Sequence, residues 1–341
     1  MINAISCRKE SPVTVQPQPI GSDTTSHNFS FVQFEFGSGP SFLNDVAIVN
    51  NTDIWAVGAI NAATDSTYNA VHWNGTKWTL ERVPYMYQGL ALISPISAVI
   101  ALATSDVWFV GNGVEKWDGY SFSNVEAVNA VWGPYEMEKI WMNSDNNIFI
   151  VGDSGSVAHF SNGIWTRQPS GTTINLRDVW GTPDGSVVWA SGWSNDNSQS
   201  ILLKYDGNIW KTIWTRQGTT TPPYGDLVTS LWGVGNLFTS TNYGVYTQDI
   251  SGADTAKQIL AINHFPYRLR GSTENNIAVV GDDGMIWHYN GASWKLLNDV
   301  GSGTPLYSVA VSQDLIVAVG ADFNVTDIFP PKALIYFGRR E

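Results

Sequence analysis

The side chains able to do chemistry in this 341-residue chain are scattered, and their spacing fits no common catalytic or metal-binding pattern. Five histidines, His27, His72, His159, His264 and His288, lack the H-E-x-x-H spacing that puts two imidazoles and a base on one helix face. His72, His159 and His288 precede an aromatic residue at matching places in repeated segments, which points to a structural role. No G-x-S-x-G elbow and no phosphate-binding glycine loop occurs. Glu136 and Glu138 form an acidic pair of the type used in glycoside hydrolysis, where two carboxylates flank the bond. Gly281-Asp282-Asp283-Gly284 and Asn195–Ser198 are rich in oxygen ligands but lack calcium-loop spacing, and tight-turn chemistry accounts for them as well. No cofactor and no metal are expected.

Aromatic and acidic residues concentrate in the longest non-repeating stretches. Pro84–Pro95 supplies Tyr85 and Tyr87, and Val128–Glu138 supplies Trp132, Tyr135 and Glu136. Gly192–Ser200 supplies Trp193 and Asp196, and Gln217–Asp226 supplies Tyr224 and Asp226. Tyr243, His264 and Tyr267 follow, together with Asp282 and Asp283. Gly320–Lys332 contributes Asp322, Phe323, Asp327 and Phe329, and Ala59–Asn69 contributes Asp65. Aromatic faces beside carboxylates and amides suit sugar rings, whose C–H faces stack and whose hydroxyls need acceptors. They suit a protein ligand equally. A second set, Asp45, Arg177, Asp178, Arg268 and Arg270, falls at the starts of repeated strands, where it forms either an ion-pair plug or an anion site.

A repeat positions these residues. Asn44–Val83 reads as four short strands: an apolar run, D-I-W-A-V-G, Y-N-A-V-H-W, then an Asn74-Gly75 turn leading into a tryptophan-bearing strand. Asn-Gly between apolar runs is a strong hairpin signal, because both turn positions adopt positive φ. The same plan recurs over Ile96–Glu126, Lys139–Pro169, Leu176–Gln217, Val228–Ala261, Tyr267–Asp299 and from Leu306 onward. Asp118-Gly119, Asn162-Gly163, Asp206-Gly207 and Asn290-Gly291 repeat the turn. Seven units of about 40 residues predict an all-β, seven-bladed β-propeller. No long stretch carries the 3.6-residue periodicity of a helix. The last unit has only three strands, whereas His27–Phe36 is an alternating, Phe-rich strand without a partner nearby. It is expected to complete the last blade and close the ring by hydrogen bonds.

Residues 27–341 thus form one propeller domain, preceded by a segment, 1–26, rich in Pro, Ser, Thr and Gln that reads as a tether. The single cysteine, Cys7, excludes an intrachain disulfide. Ala4-Ile5-Ser6-Cys7 resembles a bacterial lipobox, so Cys7 is the expected lipidation site and the only membrane attachment. A formal net charge of −12 disfavours nucleic acid and favours a soluble monomer.

The segments D-I-W-A-V-G and Y-N-A-V-H-W-N-G-x-x-W, with G-D-x-G-x-x-x-H-(F/Y) at Gly152–Phe160 and Gly281–Tyr289, resemble a group of bacterial exported β-propeller proteins. Members often begin with a lipoprotein cysteine, and many carry the label glucosyl transferase. The resemblance implies an extracytoplasmic, envelope-anchored or secreted protein. No nucleotide-sugar-binding α/β domain accompanies it. The Kelch double glycine, a WD dipeptide closing each blade and the sialidase box are absent. The expected function is a binding or scaffold propeller that takes a carbohydrate or protein ligand on the long-loop face. The alternatives are a glycan-active enzyme, a hydrolase or glucosyl transferase-like, using a carboxylate pair there, and a self-assembling structural component.

Overall fold

The computed structural model describes residues 24–62, 66–217, 226–252, 255–298, 301, 303–324 and 331–341. The expectations for Cys7, most of the tether, Asp65, Tyr224, Asp327 and Phe329 lie outside the described residues.

Among the described residues, seven four-stranded antiparallel sheets form the blades. Blades 1 to 6 each use four consecutive strands and begin with inner strands Phe42–Asn50, Ala98–Ala103, Met137–Ser144, Leu176–Gly181, Val228–Gly233 and Pro266–Thr273. Blade 7 combines Leu306–Val311, Leu315–Asp322 and Lys332–Arg340 with the leading strand Phe29–Phe36. That strand pairs antiparallel with the C-terminal one, from Phe29 opposite Arg340 to Phe36 opposite Ala333. The ring is closed as expected. Phe29 and Phe31 pack into the interface with blade 6, and Phe34 and Phe36 pack into the interface with blade 1. Both faces of the strand are therefore used, because the phenylalanines change parity between Phe31 and Phe34.

Seven apolar clusters fill the seven interfaces between neighbouring blades. Trp55 and Trp108 of the second strands are buried in them, as are Trp165 and Trp210 after the hairpin turns. The repeated polar residues tie second to third strand within four of the sheets. His72 bonds Asp53 at 2.8 Å, His159 bonds Asn147 at 3.0 Å and His288 bonds Asn276 at 2.9 Å. Lys116 and Asp106 occupy the same two places in blade 2, 3.0 Å apart. In blades 1, 2, 3 and 6 the carboxylate or amide that opens the second strand thus partners the third strand, and the three histidines are structural.

Each V-G or equivalent ending of a second strand has a steric cause. A Cβ on Gly58 would lie 2.2 Å from the Phe42 carbonyl, and one on Gly192 would lie 1.9 Å from the Asn175 carbonyl. The inner strand presses there because it carries an extra residue. The bulged residues are Asn44, Glu138, Arg177, Thr229, Tyr267 and Tyr307. The bulge recurs in six of the inner strands, at the end of the ring that also carries the long loops.

Two features differ from expectation. Pro84–Pro95 is not plain loop: Tyr85–Tyr87 pairs with Leu90–Leu92 in a small extra hairpin. Gln88 and Gly89 take φ of 49° and 81°, the positive pair that a two-residue hairpin turn needs. The link from blade 2 to blade 3 also contains one helical turn, Asn129–Trp132.

Candidate functional site

Four of the five predicted axial residues, Asp45, Asp178, Arg268 and Arg270, join a buried network, and Arg177 lies outside it. Asp178 accepts from both terminal nitrogens of Arg270, at 2.9 and 2.6 Å, and from Ser230 Oγ at 2.6 Å. Arg268 Nη1 lies 2.8 Å from the same carboxylate. Asp45 meets Lys139 Nζ at 2.5 Å and Ser308 Oγ at 2.6 Å. Burial works against the charge on Asp178, but Arg268 and Arg270 outweigh it and hold the carboxyl far below the usual range. Burial also lowers the Lys139 ammonium to about 8, despite Asp45 beside it. These side chains join inner strands from blades 1, 3, 4, 5, 6 and 7 across the axis. Arg270 acts as a brace in that plug, since its Nη1 also donates to the Leu231 and Leu269 carbonyls at 3.0 and 2.8 Å.

The remaining predicted residues fall into separate sectors of the long-loop end. Arg177 Nη1 bonds Glu138 at 3.1 Å, its Nη2 bonds Asn195 at 2.7 Å, and its guanidinium covers Trp193. Glu138 is thereby committed to an ion pair, while Glu136 is exposed. On blade 5, the Tyr243 hydroxyl donates to Asp226 at 3.1 Å. On blade 6, His264 lies 3.0 Å from Asp283. Tyr267 packs edge-on against Tyr307, and burial with Asp282 nearby pushes its phenol well above the usual range. Phe323 stands exposed beyond blade 7. Among the described residues, no group of histidine, cysteine and carboxylate side chains is arranged to hold a metal.

One sector does bring predicted residues together. A groove of about 460 Å³ lies over blade 2, between the extra hairpin and the loop that follows the blade. Tyr85, Tyr87, Trp132 and Tyr135 line it, with Met86, Gln88, Asn112, Asn124, Glu126, Asn129 and Met137. Trp132 is both wall and core: it is 3% exposed, and its indole N–H donates to the Tyr135 carbonyl at 2.7 Å. The Arg167 guanidinium sits over the Tyr135 ring, 5.6 Å from its centre. The hairpin is anchored at its base by Asn69, whose side chain holds Val83 through both its N–H and its carbonyl and reaches the Ser94 carbonyl at 2.9 Å. Tyr85 lies so close over Gly113 that a Cβ there would come within 2.5 Å of the ring. Beyond that base, Met86, Tyr87, Leu90 and Leu92 are exposed.

Glu115 is a residue that the motif reading missed. It lies on the third strand of blade 2 opposite Phe109. The equivalent places in blades 1, 3, 4 and 6 hold Val71, Ala158, Leu203 and Trp287. Glu115 is 5% exposed, lines a recess of about 20 Å³ beside the groove, and leaves Oε1 without a hydrogen-bond partner. Its carboxyl accepts the Met86 N–H, but burial dominates and pushes it up to about 7. Asn124, its cross-strand neighbour, donates to the Met86 carbonyl at 3.4 Å and leaves its own Oδ1 unpartnered. Aligning the seven units would have exposed this acid at an apolar position.

The architecture defines a seven-bladed β-propeller, a fold used broadly for scaffolding and binding. No known family profile matches the chain, and no curated relative matches. Solved propellers do. A structure titled YCF48 bound to D1 peptide is 14% identical, with a TM-score of 0.65 over 96% of this chain and 100% of that one. The WD40 propeller domain of Doa1 is 14% identical, with a TM-score of 0.60 over 90% and 96%. YCF48 from Cyanidioschyzon merolae is 13% identical, with a TM-score of 0.60 over 89% and 98%. At such identities the likeness establishes the fold alone.

Proposed function

We propose that this protein is a binding propeller that takes an extended segment of a protein or peptide in the groove over blade 2. The observation that carries this reading is the extra hairpin. It departs from the repeat, is clamped at its base by Asn69, and presents Met86, Tyr87, Leu90 and Leu92 to solvent beside a groove walled by Trp132 and Tyr135. A rimmed apolar patch next to a concave surface is the usual mark of a protein-binding site. One structural neighbour is described as bound to a peptide, which supports the class of ligand. Tyr85 and Tyr87 with Asn112, Asn124 and Asn129 also suit a carbohydrate, the second reading. The lipobox-like Ala4–Cys7 supports a position outside the cytoplasm, tethered through lipid on Cys7.

The test is selection from a displayed library of random linear peptides on the full chain, run beside a glycan array. Peptides whose binding drops at least tenfold with Tyr87→Ala or Leu90→Ser support the reading. A library without such binders and an array with hits that need Tyr87 would transfer the site to sugars.

A further inference from the structure

The recess beside Glu115 has no assigned role, and it deepens the proposed function, on which it rests. One acceptor atom of a residue lining it, Glu115 Oε1, is buried without a donor, and a second, Oδ1 of the cross-strand neighbour Asn124, is unpartnered on the side of the wider groove. A buried carboxylate oxygen without a partner is costly, and its persistence at a place that other blades fill with Val71, Ala158 or Leu203 calls for an external donor. The recess volume, about 20 Å³, admits one group the size of a water molecule. An ammonium is that size and brings three N–H donors, whereas a planar guanidinium is too broad. The cation does not come from neighbouring side chains. Lys116, next in sequence, projects from the other face of the sheet and pairs with Asp106 and Asp145. Arg82, beyond the fourth strand of blade 1, covers Tyr68 and donates to the Thr67 carbonyl.

Tyr85 lines both the recess and the wider groove, so the two are continuous along its ring. A ligand lying in the groove can send an aliphatic stem along that ring and place its charged end at Glu115, as lysine side chains do on apolar surfaces. We propose that the recess receives the ammonium of a lysine presented by the protein or peptide ligand, with Glu115 as its counter-ion. Glu115 must be ionised for this. Of the other residues lining the recess, only Tyr85 on the hairpin is titratable, and Tyr87 and Glu126 line the adjoining groove. The fourth strand itself, Phe122–Asn124, brings no charge, and Asp106 on the second strand is held by Lys116. None of these supplies a cation, so ammonium binding is what completes the site.

The experiment continues the library selection. The selected peptides are resynthesised with each lysine replaced by Nε-acetyl-lysine, and separately with an acetylated N-terminus. Titrations use the full chain and its Glu115→Gln variant at pH 6 and pH 8. The expected result is enrichment of one lysine position and at least tenfold weaker binding after acetylation of that lysine. Glu115→Gln should lose a similar factor, and affinity should rise from pH 6 to pH 8 in the parent but not in the variant. Melting at pH 5, where Glu115 carries its proton, checks that the variant is folded. Peptides that need Tyr87 yet ignore lysine acetylation and Glu115→Gln overturn the lysine site and leave the groove reading intact. Binding lost only on N-terminal acetylation overturns the lysine and gives the recess to a chain terminus. A library without Tyr87-dependent binders overturns both readings.

Discussion

His27 Nδ1 lies 2.8 Å from His288 Nδ1, across the seam between blade 6 and the leading segment that closes blade 7. The neighbours fix the protons. His288 Nε2 faces Asn276 Oδ1, which also accepts from Arg340, so the His288 proton sits on Nε2. His288 Nδ1 therefore accepts from His27 Nδ1–H, and His27 Nε2 accepts from the Ser293 hydroxyl at 3.1 Å. Protonating His288 at Nδ1 sets two N–H groups against each other, and a proton on either imidazole places positive charge beside Arg340.

Acid should open this seam. Burial first, then His27 and Arg340, lowers His288 to about 3, and burial lowers His159 to about 4, against 6.5 for an ordinary histidine. Both values are depressed, so the unfolded chain takes up protons before the folded one does. The stabilisation is complete above pH 6.5 and is lost as the pH falls toward 4 and below. Each such proton costs about 1.4 kcal/mol per pH unit in that window. Urea midpoints measured from pH 7.5 to pH 4.5 should fall, and His288→Gln should flatten the curve while lowering stability at pH 7. An unchanged curve in that variant would remove the seam as the cause.

The closing strand should matter to the whole ring. Phe34 packs at the blade 7–blade 1 interface with Phe337 and Trp73. Phe34→Ala should cost about 2–3 kcal/mol, below a full core deletion because the ring is only half-buried. Removal of residues through Phe36 should lower the melting temperature of the entire domain in one cooperative step. Equal melting of the truncated and full chains would contradict the closure.

The axial plug should not tolerate the loss of one anion. Asp178→Asn leaves Arg268, Arg270 and Lys139 against Asp45 alone. Breaking a buried pair on one side typically costs about 3–5 kcal/mol. Denaturant unfolding of Asp178→Asn and of Arg270→Met should each show a loss of that order.

Glu115 should have the opposite pH signature to the histidines. Its carboxyl is raised to about 7 from 4.5, so its favourable contribution is complete below pH 4.5 and is lost as the pH rises through 7. Glu115→Leu, which copies Leu203 of blade 4, should gain on the parent with rising pH, by roughly 2–3 kcal/mol at pH 8 relative to pH 4.5. Thermal melts of both proteins at the two pH values check this. A gap that does not grow with pH would mean that Glu115 is not held in a dry site.

Much of the fold was legible because the repeat is local. The turn pairs, the glycine that ends the second strand and the Asp or Asn that opens it each serve contacts within one sheet. The site was less so. Tyr85, Tyr87, Trp132 and Tyr135 were singled out from two different loops, and Tyr243, His264 and Phe323 were singled out on the same grounds, yet only the first four share a groove. Gln88-Gly89 between two apolar triplets carried a hairpin signal that the loop reading passed over.

By itself, the amino-acid sequence determined seven sheets, their strand order and a closure made by the Phe-rich leading strand. Alternation, turn chemistry and chain connectivity leave few other ways to bury that many short apolar runs. Only the tertiary structure decided which loop residues meet, that Arg270 braces the axis, and that Glu115 sits dry beside the groove. Those outcomes depend on burial and on contacts between loops and blades that follow no period, and a side chain's charge state is set by its surroundings and not by its neighbours in sequence.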